Sequence, residues 1–451
     1  HDDAGDFTIL IDVFFGGGTY DHSSAARQGL TVAPWAPDQV PAGILADSDG
    51  VEMFPEGLGG EEWRSPAFYS AVLSGFGICA NPDRLRELGI EKQPTDWRDL
   101  TDFRYFGQLG VTDPTKSGSI AKAFEMIIHS ECRRSVLEAG WTPQQIHDFE
   151  ARINQAKLNP GIMPDDVPAK YQDDVERGWL NGIKLIQRIG ANARYFTDGA
   201  GKVPVDVASG DAAVGISIDF YGRVQAEVTK VGDHERLNYV TPLGGSTISG
   251  DPISLLRGAP HPELARRFME YVLSEDGQKL WNYRPGTPGG PVKSALRRLP
   301  IRRDFYPDLD HPAVQARAEA HARYTSDNLL DPAVDAYHLG SAFEYQPRWT
   351  AAHFAFFRQL VRAMCMDSGN ELHAAWKAII EAGGPEKNPA AMAVLERLPD
   401  VPLPITWKTA GDTATKYDTI DYMRDWTAFF RNSYREAERL ARQNTPAPNN
   451  P

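Results

Sequence analysis

No run of apolar residues in this sequence approaches the roughly 20 that a helix needs to cross a bilayer. Cysteine is scarce. Cys79, Cys132 and Cys365 are the whole complement in 451 residues. They lie far apart and lack the paired spacing of a zinc site. At most one disulfide can form, and burial preference favours three reduced thiols in the interior. The count neither demands nor excludes an oxidising compartment. Positive charge is also in deficit: 47 Lys and Arg stand against 61 Asp and Glu, a net charge of −14. A chain this acidic is a poor partner for nucleic acid or an anionic membrane surface. Any anion it binds must be held by a local, donor-rich site.

Catalytic signatures are missing as well. There is no G-x-S-x-G elbow and no H-E-x-x-H pair. The 11 histidines are scattered, and only His22 falls near a candidate site loop. The acidic pair Glu61-Glu62 reads as a solvated charge run in a loop. The polar start, His1-Asp2-Asp3-Ala4-Gly5-Asp6, shows no signal peptide, so an exported protein would be present here in mature or trimmed form.

What is present is ordinary globular material, 41% hydrophobic and 24% charged. The length predicts two or three domains. Phe7 to Phe15 reads as a strand, apolar enough for burial in a parallel sheet, and it stops at Gly16-Gly17-Gly18. Phe68 to Cys79 is strand-like. Asn81-Pro82-Asp83 opens a short helix that ends at Gly89, with Asn81 or Asp83 as its cap. From Asp96 to about Gly232, strands (Leu109–Thr112, Ala213–Ile218) alternate with helices (Ile120–His129, Val175–Ile189). That order predicts a parallel α/β sheet with crossover helices. Strands at 237–242 and 253–256 and a helix at 262–272 follow. Beyond about Pro300 the pattern is helical, notably at 349–366, 371–381 and 422–442. Residues 445–451, rich in proline and asparagine, read as a disordered tail.

Three polar turns stand at strand ends, where ligands sit in open α/β sheets. The first is Asp113-Pro114-Thr115-Lys116-Ser117-Gly118-Ser119, a hydroxyl- and glycine-rich turn that opens a helix. Unpaired N–H groups and the helix dipole suit it to a phosphate, sulfate or carboxylate. A plain Ser or Thr cap with no ligand is the competing reading. The second is Gly16-Gly17-Gly18-Thr19, whose glycines permit close approach of a ligand, or meet a need for positive φ. The third is Asp219-Phe220-Tyr221-Gly222, where Asp219 can accept hydrogen bonds and Tyr221 can stack or donate. A buried, structural role for all three side chains is the alternative there.

Asn81, then Pro94-Thr95-Asp96-Trp97-Arg98-Asp99-Leu100, then Asp113 to Ser119, then Val207 to Ile216, then Ser274-Glu275-Asp276-Gly277-Gln278 fall in a fixed order over about residues 7–295. In that order they resemble extracellular solute-binding proteins of family 1 of ABC transporters, in particular the branch with ferric-ion and phosphorylated-sugar binders. Asp276 departs from the family's usual Glu. The resemblance implies a type II periplasmic-binding fold: two α/β lobes joined by crossing hinge strands near Phe76–Ile78 and Tyr239–Thr241, with the ligand between the lobes. One lobe would be residues 1–76 and 240–300, lacking the family's first strand and helix. The other would be 77–239. Residues 301–451 would form a helical extension packed on the first lobe.

The function expected is capture of a small ligand, favoured as a phosphorylated or carboxylated oxyanion, and delivery to a membrane permease. The ligand-binding residues expected are Gly17, Gly18, Thr19, Ser74, Thr115, Ser117, Gly118, Ser119, Asp219 and Tyr221. No catalytic residue, cofactor or resident metal is expected, and the protein is expected to be a periplasmic or extracellular monomer. Ferric iron is the alternative ligand, through Tyr221, His22 and Asp219. Against it stands Phe220-Tyr221, which supplies one tyrosine where ferric-binding relatives carry two. An enzyme acting on a phosphorylated substrate is the rival of another class.

Overall fold

Every residue of the stretch Phe68–Ala80 is buried, and it forms one strand of 13 residues. In the computed structural model, which describes residues 10–156 and 164–444, this strand is the spine of the fold. The strands that matter for the site are, in chain order, β1 (Val13–Phe15), β2 (Phe68–Ala80), β3 (Leu109–Thr112), β4 (Ala193–Thr197), β5 (Val214–Ile218), β6 (Asn238–Val240) and β7 (Ile248–Leu256). The helices are α1 (Thr19–Arg27), α2 (Pro82–Glu87), α3 (Gly118–Glu138), α4 (Ala169–Asn192), α5 (Lys202–Ser209), α6 (Asp219–Thr229), α7 (Pro262–Leu273), α8 (Glu275–Asn282), α9 (Phe354–Val361), α10 (Gly369–Glu381) and α11 (Thr419–Gln443).

The chain divides into two units. Unit 1 takes residues up to Gly77, Ile218–Val228 and Ser246–Tyr345; unit 2 takes Ile78–Ser217, Thr229–Gly245 and the chain from Gln346 on. β2 passes from one to the other at Gly77. Two α/β units joined through such a strand are what the type II periplasmic-binding fold requires.

Unit 1 carries an antiparallel sheet in the order β1-β7-β2. Val13 pairs with Leu255, and Ile248 with Gly75. The register breaks between Asp251 and Pro252. Pro252 has no N–H to give the ladder, so a bulge is the natural accommodation. α7 starts with proline and Glu263, and buries Ala265, Met269 and Val272 at helical spacing. They join a core with Trp63, Tyr69, Leu73, Ile253, Leu255, Leu299, Phe305 and Tyr306.

Unit 2 holds the parallel part predicted from the alternation of strand and helix. β3 lies between β4 and β5, parallel to both. β6 runs antiparallel to the end of β2. α3 and α4 pack so closely that a Cβ on Gly178 would lie 2.4 Å from the Cα of Cys132, and one on Gly182 would lie 2.5 Å from the Cα of Ile128.

Four expectations change. Phe7 to Ile9 lie outside the described residues, and the first described strand is Val13–Phe15, antiparallel and part-exposed rather than buried in a parallel sheet. A short apolar run does not reveal its partner's direction. The segment from Gln346 on belongs to unit 2, not to the first lobe; only 301–345 lies in unit 1. Long-range polar contacts fix it there. Arg348 pairs with the buried Glu150, Gln187 Nε2 donates to the carbonyl of Leu395, and Trp376 Nε1 donates to Asn192. Residues 218–228, placed with the second lobe by position in the chain, belong to unit 1. The late boundary between the units falls at Gly245, beyond Tyr239–Thr241. The tail 445–451 lies outside the described residues.

Candidate functional site

Most of the segments that carry the family resemblance turn out to be structural. Asn81 caps α2 by accepting from the N–H groups of Asp83 and Arg84, and its Nδ2 donates to the carbonyl of Val207 at 2.8 Å. Asp96 and Asp99 cap the turn after Pro94, and the buried Trp97 donates to the carbonyl of Gly245 at 2.7 Å. Gln278, wholly buried, donates to the carbonyls of Ala71 and Val272 and accepts from the N–H of Ile301.

In unit 2, β3 delivers the turn 113–119 to the start of α3. Asp113 faces inward. Its Oδ1 accepts from the N–H and hydroxyl of Thr115, at 2.8 and 2.6 Å. Its Oδ2 pairs with Arg362 at 3.2 Å. Arg358 on α9 donates to the carbonyls of Pro114 and Thr115. Thr115 therefore serves the turn's own architecture. Ser117 is the N-cap of α3, and its hydroxyl lies 3.1 Å from that of Ser119. Gly118 is exposed and Ser119 half-buried. The first turn of this 21-residue helix contains no acidic residue. No carboxylate of the helix's own first turn therefore opposes the dipole's positive end, and the two carboxylates at the preceding turn, Asp113 and Asp198, are paired with Arg362 and Lys116.

In unit 1, β1 hands over to α1 through Gly16 and Gly17, both at φ +87. Only glycine adopts that conformation without strain. Gly18 is the N-cap, and the N3 residue Asp21 folds back on its N–H at 3.4 Å. The Thr19 hydroxyl donates to the carbonyl of Gly250 at 3.4 Å. His22 is fully buried behind this turn. Its Nε2 lies 2.9 Å from the Gly16 carbonyl, its Nδ1 lies 2.7 Å from the Ser254 hydroxyl, and its ring stacks on Phe14 at 4.0 Å. Burial pushes its pKa down.

Asp219 is likewise wholly buried. It accepts from the N–H of Phe220 and pairs with Arg223 at 2.9 Å. Tyr221 is 41% exposed, against the Phe220 ring. Two members of the alternative ferric set, His22 and Asp219, thus have partners of their own inside unit 1. His22 has both ring nitrogens engaged in the interior, and Asp219 is neutralised by an arginine. Among the described residues no group of three or more His, Cys, Asp or Glu could hold a metal ion. The His22–Ser254 pair is a base beside a hydroxyl, and both side chains are fully buried.

Ser74 on β2 is brought into a cluster that sequence reasoning missed. Its hydroxyl accepts from Arg298 Nη2 at 2.8 Å. Arg298 also pairs with Asp251, the residue at the β7 bulge. The guanidinium carbon lies 4.3 Å from the centre of the Phe220 ring. Burial pushes the Arg298 pKa down to about 10, with Asp219 acting to raise it and Arg223 to lower it; the side chain is still a cation at neutral pH. The neighbouring Arg297 adopts φ +53, rare for a residue with a side chain. It is held by Asp327, and its carbonyl accepts from Arg223. The signal in the sequence was a local basic run, Lys293, Arg297, Arg298, Arg302 and Arg303, in an otherwise acidic chain.

The chain is similar to several known proteins. An uncharacterized protein of Haemophilus influenzae is 25% identical over 272 residues, which span 60% of this chain and 60% of the relative. Among solved structures, the periplasmic binding protein AfuA from Actinobacillus pleuropneumoniae, with fructose 6-phosphate bound, is 21% identical, with 59% of this chain and 65% of AfuA covered and a TM-score of 0.40. Iron-bound HitA from Pseudomonas aeruginosa is 15% identical, with 78% and 82% covered and a TM-score of 0.43. A family model matches residues 12–283, more than half of the 451, and the chain belongs to the bacterial extracellular solute-binding proteins.

Proposed function

We propose that this protein is the substrate-binding component of an ABC importer. It captures a small oxyanion, a phosphorylated or carboxylated molecule, outside the cytoplasmic membrane, acts as a monomer, and delivers the ligand unaltered to a membrane permease. The observation that carries the ligand class is the start of α3. In a chain of net charge −14, this helix end has no acidic residue in its first turn, and the two carboxylates at the turn are each paired with a cation, Asp113 with Arg362 and Asp198 with Lys116. The backbone at the exposed Gly118 and half-buried Ser119, the dipole and the hydroxyls of Ser117 and Ser119 then favour an anion. Gly118 permits close approach. Thr115 contributes through the turn's shape. In unit 1, Gly17, Gly18, Thr19, Ser74 and Tyr221 remain the proposed contacts, while Asp219 acts through Arg223 and the placement of Phe220.

Calorimetry with phosphate esters, citrate and ferric citrate tests this reading. Binding of an oxyanion, weakened by Ser117→Ala and Ser119→Ala, is the expected result. Binding of ferric iron alone, lost on Tyr221→Phe, would overturn it. Turnover of a bound phosphate ester would show an enzyme instead.

A further inference from the structure

Arg298 is fixed from several sides. Its backbone N–H donates to the carbonyl of Trp281 at 3.1 Å, and its own carbonyl accepts from Asn282 at 3.1 Å. Its guanidinium rests on the Phe220 face, a favourable cation–π position, and donates to the buried Ser74 hydroxyl. The Nε has no partner among the described residues. Among the described residues, the anion that pairs with the guanidinium is Asp251, delivered by the β7 bulge. Both side chains keep a solvent-facing edge: 16% of the Arg298 side chain and 25% of that of Asp251 are exposed. A cation that is desolvated, oriented and paired with a carboxylate that keeps a solvent-facing edge is a candidate site for an external anion of like geometry. The cost of desolvating and ordering the arginine has already been met on folding. A planar guanidinium takes carboxylate or phosphate oxygens in pairs, as an ammonium cannot.

We propose that Arg298 is an anion-recognition residue of unit 1, and that Asp251 is an internal stand-in which occupies the arginine until the ligand's phosphate or carboxylate displaces it. This rests on the oxyanion reading above and gives it a specific partner. Asp251 then sets a threshold. An incoming group must outcompete a carboxylate already in place, which favours dianionic phosphate esters over weakly charged ligands.

A double-mutant cycle tests the idea, using calorimetry with inorganic phosphate, a hexose phosphate and citrate. Asp251→Asn removes the competitor, and roughly 3- to 10-fold tighter binding is expected. Arg298→Gln is expected to weaken binding roughly 10- to 100-fold, with Arg298→Lys recovering only part of it. In the double variant the gain from Asp251→Asn vanishes, because the stand-in acts only through Arg298. Unchanged affinity in Arg298→Gln, while Ser117→Ala still weakens binding, would sink this proposal and leave the oxyanion reading intact. Equal tightening by Asp251→Asn in both backgrounds would reduce Asp251 to a general field effect and also sink it. Should Arg298→Gln fail to fold, Asp251→Asn alone decides, since unchanged or weaker binding overturns the stand-in role. No binding of any of the three anions by the unaltered protein would overturn the oxyanion reading itself, and this proposal with it.

Discussion

Arg358 donates from Nη2 to the backbone carbonyl of Thr115 at 2.6 Å, across 243 residues of sequence. Its Nε donates to the carbonyl of Pro114 at 2.8 Å. The helical segment beyond residue 346 thus reaches under the turn that begins α3. Replacing Arg358 by alanine removes two charge-assisted hydrogen bonds, which together contribute about 3 kcal/mol. The expected outcome is a lower urea midpoint and several-fold weaker oxyanion binding, although Arg358 touches no ligand. Lost stability with unchanged affinity would show that the turn keeps its shape without the arginine.

The α3–α4 packing is a second sensitive point. Ala at Gly178 or Gly182 places a methyl 2.4 or 2.5 Å from a backbone Cα of α3. Helix propensity favours alanine by about 1 kcal/mol, but overpacking against backbone costs about 1–3 kcal/mol, and relief requires the whole helix to shift. Gly182→Ala is therefore expected to lower the denaturation midpoint, and Gly178→Ala to do the same. A stabilised variant in either case would contradict the close contact.

His353 supplies a pH dependence. It is buried edge-on to Trp179, Phe357 and Trp407, with no partner for its Nδ1 among the described residues. Burial pushes its pKa from 6.5 down to about 4. The unfolded chain then binds the proton more readily than the folded one. The stability that rests on a neutral ring is complete above pH 6.5 and is lost as pH falls from 6.5 towards 4, by about 3 kcal/mol at most. His22, His129, His321 and His373 are shifted in the same direction by burial. His353→Phe should retain more of its stability than the unaltered protein across that interval, as measured by urea denaturation at stepped pH. Parallel losses would assign the slope to the other histidines.

Cys79, Cys132 and Cys365 are all free and buried. Burial raises each thiol, that of Cys79 to about 12. A maleimide should label none of them in the native protein and all three after denaturation. Stability should not change on addition of a reductant. Labelling of the native protein would reveal local opening around the modified thiol.

Element type was largely legible in the sequence. The proline and acidic first turn of α7, the Asn81 cap of α2 and the alternation around β3 and β5 are local signals, since each depends on residues a few positions apart. The stretch Phe68 to Cys79 likewise read as strand-like, and β2 spans Phe68–Ala80. The hydroxyl-rich turn at 113–119 was visible for the same reason.

What the amino-acid order determined by itself is the menu of elements, the acidity, the scarcity of cysteine and the three polar turns at strand ends. Tertiary structure alone decided which turns keep donors free and which use them up. Thr115 is spent on Asp113, Asp219 on Arg223, and His22 on Gly16 and Ser254, because buried polar groups must be paired. It also decided that residues 346 onward support unit 2, and that Arg298 meets Ser74 and Asp251. Those partners come from distant strands, and their meeting depends on sheet register and a bulge at Pro252, which no local pattern encodes.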